Sequence, residues 1–392
     1  MEPAPETAYL DHAATTPVRP EALRAMLPFF TDTFGNPSGG HGVARAAKTA
    51  LEAARESIAV DLGAEPGEIV FTAGGTEADN LAVEGGARAA SALGRGDGVV
   101  VAAFEHKAVL AAADRLAHEG FRIAVVPVTP GGMVDLAALA AAVDDRTVMV
   151  SVMLVNNEVG TRQPLDEVAR IVRTHSPHAV LHTDAVQAAA WIDVATLAAD
   201  ADLVSVSAHK LGGPKGTGAL VVRSGVPIVA LLEGGGQERG LRSGTSNVAG
   251  AVGFAAALRV TVATRTETAA RVSTLRDRLV AGLAAIPGVW FNGDPEHKVA
   301  GNVHVGIPGA EAEALLVLLD RAGVCAAAGS SCSSGATEPS HVLAAMGLDR
   351  DDALASIRLS LGFASVPGDV DRVLDVLPDA VTQLRGSVGV TR

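Results

Sequence analysis

Short apolar runs rich in Val, Ile and Leu recur through the first 222 residues, separated by Ala-rich, helix-compatible stretches, and this alternation restricts the fold more than any other feature. The runs lie at 68–72, 99–103, 123–128, 148–153, 180–183, 203–206 and 219–222, with helical stretches at 77–93, 107–119 and 165–174 among the connections. A strand buried on both faces reads as a continuous apolar run and needs helices above and below it. The spacing therefore predicts an α/β fold with a mostly parallel sheet and helices on both faces. Beyond about residue 250 the pattern changes to a long helical stretch (249–283), short strands (302–305, 356–361) and a final amphipathic helix (370–384). This predicts a smaller α+β domain. The expected division is 15–255 for the large domain, with 1–14 and 256–392 forming the small one; 392 residues are ample for two such units.

Charge narrows the function classes. With 31 Lys and Arg against 44 Asp and Glu, the net charge is −13, which disfavours a chain whose main work is gripping nucleic acid or anionic lipid. A mean hydropathy of +0.30 raises the question of a membrane, yet the apolar runs, such as 248–258, stop short of the roughly 20 residues a span requires. Residues 1–10 carry Glu2 and Glu6 in place of a basic patch and apolar stretch, so no secretory signal is read there and a cytoplasmic protein is expected. Two cysteines, Cys325 and Cys332, are too few for a disulfide framework.

In open α/β sheets ligands collect beyond the carboxyl ends of the strands, so the residues after each apolar run belong together. They are Gly74-Gly75-Thr76-Glu77, Glu105-His106, Asn156-Asn157-Glu158, Asp184 with Gln187 three residues on, and Ser207-Ala208-His209-Lys210. A Gly-rich helix entry with a hydroxyl can hold phosphate, although a plain helix cap reads the same way. A lone lysine after a strand is ordinarily a solvated surface residue. Here the same rim also supplies an aspartate, an imidazole and hydroxyls. That set is what pyridoxal 5'-phosphate needs: a lysine for its aldehyde, an aspartate for the protonated ring nitrogen, an imidazole over the ring and donors for the phosphate. A nucleotide site fits less well, because Lys215 stands in the wrong place for a phosphate-binding loop of the Walker type.

His175, His178 and His182 have ligand-like spacing, but Pro177 interrupts any helix there and His182 falls in a strand, so no metal site is expected. The segment 329–335, Gly-Ser-Ser-Cys-Ser-Ser-Gly, has nothing that could bury its thiol, which makes Cys332 a candidate nucleophile, whereas Cys325 reads as a core residue. Arg358 lies inside an apolar strand and is expected to face a carboxylate.

Taken together these residues resemble the cysteine desulfurases of the class V aminotransferase group, nearly end to end. The matching blocks are Tyr9 to Pro17, Gly35-Asn36-Pro37-Ser38, Thr76-Glu77-Ala78-Asp79-Asn80, Glu105-His106-Lys107, Asn156 to Gly160, Asp184 with Gln187, His209-Lys210, Arg242-Ser243-Gly244-Thr245, and the Cys332 loop followed by Glu338-Pro339-Ser340-His341. The resemblance implies an aminotransferase-like large domain in which Lys210 carries the cofactor and Asp184 pairs with its ring nitrogen. Gln187 and Asn157 would hold the ring hydroxyl and His106 would stack on the ring. Gly75, Thr76, Ser207 and His209 would bind the phosphate, joined by Thr245 from the second subunit of a homodimer. Asn36, Asn157 and Arg358 would take the carboxylate of L-cysteine, and Cys332 would accept its sulfur as a persulfide, with His106 a candidate for proton transfers. The loop length is similar to that of the subgroup with a long flexible nucleophile loop.

Ala208, Ser331 and Gly39 depart from the family pattern, each replacing one small residue by another. The sequence ends at Arg392, soon after the last expected helix, without the long tail that some relatives use to dock a scaffold protein. The sulfur acceptor is accordingly the least constrained expectation: an iron-sulfur scaffold and a carrier for tRNA or cofactor thiolation both fit. An aminotransferase or selenocysteine lyase is the nearest alternative, and an inactive regulator of a sulfur relay the most distant. The aminotransferase would have no need of Cys332, and the regulator none of the Lys210 and Cys332 pair.

Overall fold

The computed structural model describes residues 7–329 and 338–388. Its twelve strands, in chain order, are β1 (Ala8–Tyr9), β2 (Ile69–Thr72), β3 (Gly98–Ala102), β4 (Arg122–Val126), β5 (Thr147–Ser151), β6 (Val180–Asp184), β7 (Leu203–Ser207), β8 (Gly218–Val222), β9 (Trp290–Phe291), β10 (Asn302–Gly306), β11 (Val324–Cys325) and β12 (Ser356–Ser360). Strands β2 to β8 form a seven-stranded sheet in the order β2-β8-β7-β6-β5-β3-β4, in which only the pairings of β8 are antiparallel. Strands β3, β5, β6, β7 and β8 are buried at every residue, which is why β3 and β8 read as continuous apolar runs, while β5, β6 and β7 bury a few polar side chains among their apolar ones. Two hydrophobic clusters flank this sheet, one around Ile58, Phe104, Leu154 and Phe254, the other around Val70, Val101, Leu116 and Leu203.

The remaining strands form two small sheets, β12-β10-β9 and β1-β11, packed with the helices Ala312–Arg321 and Pro367–Val388 around a third cluster that includes Leu10, Leu279, Leu315 and Leu359. The N-terminal β1 pairs with β11, so the first residues join the C-terminal elements. The helix Val248–Leu283 links the two regions over 36 residues. Its length matches the helical stretch expected at 249–283, and by length and composition it could cross a membrane, although its opening apolar run, 248–258, is shorter than a span. Its side chains explain its character without one: Val248, Phe254, Leu258, Leu275 and Leu283 are buried within the protein.

The helical stretch expected at 77–93 forms as Gly75–Asn80 and Gly86–Ala92 joined by a single π turn, Leu81–Gly85. Gly85 and Gly86 permit close packing there: a Cβ on either would come within 2.5 Å of Val229 O or Met149 Cε.

Candidate active site

A cavity of about 260 Å³ opens at the carboxyl ends of β2, β5, β6 and β7. It is lined by Gly75, Thr76, His106, Asn157, Asp184, Gln187, Ser207, His209, Lys210 and Arg358. Ten of the residues singled out from sequence therefore face one space, although they are spread over nearly 300 positions.

At one end the chain leaves β2 through Gly74, whose φ of 151° only glycine adopts readily, and enters the helix at Gly75. A Cβ on Gly75 would meet Val186 Cγ2 at 2.8 Å, so the bare backbone is needed here. Ser207 Oγ is buried and has no hydrogen-bond partner, and Thr76 and His209 complete this end. His209 Nδ1 lies 3.1 Å from Thr15 Oγ1. Burial, with Lys210 and Lys215 adding to it, pushes its pKa down to about 4, so the imidazole is neutral at pH 7.

Lys210 stands on the turn Ala208–Lys210 and donates from Nζ to the carbonyls of Ala13 (2.5 Å) and Ala14 (2.8 Å). Gln187 Nε2 donates to the same Ala13 carbonyl at 2.7 Å. Asp184, the last residue of β6, accepts from the Val186 N–H at 2.8 Å. Burial pushes its carboxyl pKa up, opposed by His106 and Lys210. His106 caps the helix Lys107–His118, its Nδ1 accepting from the Ala108 N–H at 3.1 Å. The ring proton is thereby assigned to Nε2. Burial lowers the pKa of this imidazole, with Asp184 opposing and Lys210 reinforcing the shift.

The opposite end is built on β12. Arg358 is 2% exposed; its guanidinium donates to Asn157 O and to Asp11 Oδ1, each at 2.9 Å. The carboxylate expected for this strand arginine is thus Asp11, 347 positions away.

The cavity also holds residues to which the sequence reading gave no role: Asp79, Lys107, Glu158 and His341. Asp79 and Glu105 are buried beside Asp184, and burial, then repulsion from Asp184, drives both carboxyls well up. Motif spacing could have flagged Glu158 and His341, since both stand in blocks quoted above. Their meeting depends on a contact between β5's exit and residue 341 that no local pattern encodes.

Asn36 and Thr245 do not reach the cavity of this chain; both are exposed, and Asn36 Oδ1 accepts from the Ser38 N–H at 3.0 Å. Cys332 lies outside the described residues. Cys325, expected in the core, is half-buried on the short β11 instead, because that strand has a neighbour on one side only. Of the three histidines with ligand-like spacing, His182 bonds Ser151 Oγ (2.8 Å) and Ser205 Oγ (3.0 Å), and His178 donates to Arg95 O (3.0 Å).

The model of the family described as aminotransferase class-V matches residues 8–373. The chain is 43% identical to "Cysteine desulfurase IscS" of Methanosarcina thermophila, covering 98% of this chain and 95% of the relative. It belongs to the cysteine desulfurase family. It is also 46% identical to the "IscS-like cysteine desulfurase" of Mycobacterium tuberculosis, over 96% of this chain and 97% of that one. Among solved structures, one described as a "NifS-like protein" superposes with a TM-score of 0.88 at 36% identity, covering 98% of this chain and all of that one.

The family depends on pyridoxal 5'-phosphate, and the cavity fits it. The unpartnered Ser207 hydroxyl and the side-chain-free backbone at Gly75 suit a phosphate, and a buried carboxylate at Asp184 suits a protonated ring nitrogen.

Proposed function

We propose that this cysteine desulfurase converts L-cysteine to L-alanine and passes the sulfur, held as a persulfide on Cys332, to an acceptor protein for iron-sulfur cluster assembly or for tRNA or cofactor thiolation. One observation carries the reading: the Lys210 amine, the buried Asp184 carboxylate and the Arg358 guanidinium share a single cavity within a chain of this family.

The chemistry that pyridoxal phosphate supplies when bound is a carbonyl for amines and a sink for electrons released at Cα. Lys210 is the residue that would hold it covalently, with Asp184 at the ring nitrogen, Gln187 and Asn157 at the ring hydroxyl, His106 over the ring, and Gly75, Thr76, Ser207 and His209 at the phosphate. Neutral His209 brings no charge of its own, and its free ring nitrogen suits a phosphate oxygen. Arg358 takes the carboxylate of cysteine and so fixes which Cα substituent points towards Lys210, whose amine then moves the Cα proton. The Cys332 thiolate attacks the substrate sulfur: an S–S bond forms, the Cβ–S bond breaks, and Cβ collects a proton to become the methyl of alanine.

A homodimer accounts for the two residues left outside the cavity, Asn36 and Thr245, as contributions to the neighbouring subunit's site. An apolar surface beside Asn36 supports this: Leu23, Leu27, Phe30 and Phe34 are 51%, 55%, 62% and 70% exposed. The division into a large domain, 15–255, and a small one, 1–14 with 256–392, belongs to the same reading, as does a cytoplasmic location.

The test is to reconstitute the protein with pyridoxal phosphate, reduce it with borohydride and map the peptides by mass. The cofactor adduct is expected on Lys210 and absent from Lys210→Ala. An adduct on another lysine overturns the assignment.

A further inference from the structure

Two imidazoles line the cavity near Lys107, His106 and His341, and their hydrogen bonds give them opposite characters. His106 accepts at Nδ1 from the Ala108 N–H, so the nitrogen left for the cavity carries a proton and donates. His341 is the reverse. Its Nε2 lies 2.9 Å from the Glu105 carbonyl, an oxygen that only accepts, so Nε2 carries the proton and Nδ1 is left as a lone pair. That Nδ1 is buried and has no partner. Its ring lines the cavity together with Lys107, Glu158 and Arg358. A buried acceptor without a donor is costly unless the working state supplies one.

L-cysteine brings such a donor. Its carboxylate, held at Arg358, places the α-ammonium in the same cavity, and the amine must shed a proton before it can act as a nucleophile. We propose that His341 is a catalytic base that takes this proton. The Nδ1 lone pair forms the new N–H bond, the ammonium N–H bond breaks, and its electron pair stays on the substrate nitrogen. Glu158, a buried carboxyl lining the same cavity, would balance the imidazolium that results. The proton returns when alanine leaves as its zwitterion, so no co-reactant is consumed. The inference rests on the desulfurase reading and adds a residue to it.

Serving as a base also explains how the ring is held. Ser340, which precedes it, caps the helix His341–Ala345, donating to Glu158 Oε2 at 2.5 Å and accepting from the Val342 and Leu343 N–H groups. The charged and titratable groups that share the cavity or its wall with the ring, among the described residues, include Glu105, His106, Lys107, Glu158, Asp184, Lys210 and Arg358.

The experiment is a pH profile of kcat/KM for L-cysteine. His341→Gln can keep the donor to Glu105 O but has no basic nitrogen. It should lose about a hundredfold at neutral pH. The loss should shrink towards nothing as pH passes the ionisation of the substrate's own amine. His341→Ala should behave alike and regain activity with added imidazole, while both variants keep the visible cofactor band and its dissociation constant. A loss that is the same at every pH, with no imidazole rescue, overturns the proposal. A measurement without variants decides it as well: if wild-type kcat/KM itself climbs about tenfold per pH unit up to the ionisation of the substrate amine, the enzyme selects free amine and no base acts. A wild type that forms no alanine at all overturns the desulfurase reading instead.

Discussion

Replacing Asp11 by Asn should weaken the fold and tighten substrate binding at once. Arg358 is 2% exposed and its guanidinium is shared between the Asn157 carbonyl and Asp11, whose side chain is 20% exposed. At an effective dielectric of about 20, a pair about 4 Å apart gains about 4 kcal/mol. Much of this is offset by the desolvation of two ions, and a hydrogen bond to a charged group nets about 1.5–3 kcal/mol. Asn keeps the size and can still accept, so a loss of about 2 kcal/mol is expected, below the roughly 3–5 kcal/mol of a pair broken with one charge left wholly unpartnered. Asp11 also competes with the carboxylate of cysteine for the same guanidinium. Removing its charge should therefore lower the dissociation constant for cysteine by severalfold. Urea unfolding followed by circular dichroism reads the first effect, and spectral titration of the cofactor-loaded protein reads the second. A variant as stable as wild type, or one that binds cysteine less tightly, would refute this account of Arg358.

Two further outcomes follow from the structure. Phe30→Asp combined with Phe34→Asp should give a monomer by sedimentation that retains cofactor less well; a double variant that stays dimeric would remove the apolar surface at Leu23, Leu27, Phe30 and Phe34 as the interface. His182 and His304 are wholly buried, and burial holds both at about 3, below their ordinary 6.5. Because the unfolded chain takes up these protons first, each contribution to stability is intact above pH 6.5 and is lost progressively as pH falls towards 3. His304→Asn should therefore flatten the dependence of the urea midpoint on pH across that window, and an unchanged slope would contradict the assignment.

The sheet was legible because its central strands are buried on both faces: the runs at 180–183 and 203–206 match β6 and β7 to within one residue. The two-residue strands β1, β9 and β11 were not, since two residues display no period. Lys210, Asp184 and His106 could be singled out because each stands at the carboxyl end of a strand or just beyond it, where α/β sheets gather ligands. The Asp11 partner of Arg358, the buried carboxylates of Asp79 and Glu105 beside Asp184, and the fixed tautomer of His341 arise from contacts between distant segments. No local pattern records them.

The central claim is that sulfur leaves cysteine for Cys332. A single turnover of the cofactor-loaded protein with isotopically labelled L-cysteine, quenched and analysed for alanine and for protein-bound sulfur, tests it most directly. The wild type should yield alanine and persulfide on Cys332 in equal amounts. Cys332→Ser, with Lys210, Asp184 and Arg358 intact, should bind cysteine and change the cofactor spectrum but form almost no alanine, because a serine hydroxyl is far less acidic than a thiol of pKa about 8.5 and a poor nucleophile towards sulfur. Alanine and free sulfide released by Cys332→Ser at the wild-type rate, or pyruvate in place of alanine from the wild type, would contradict it.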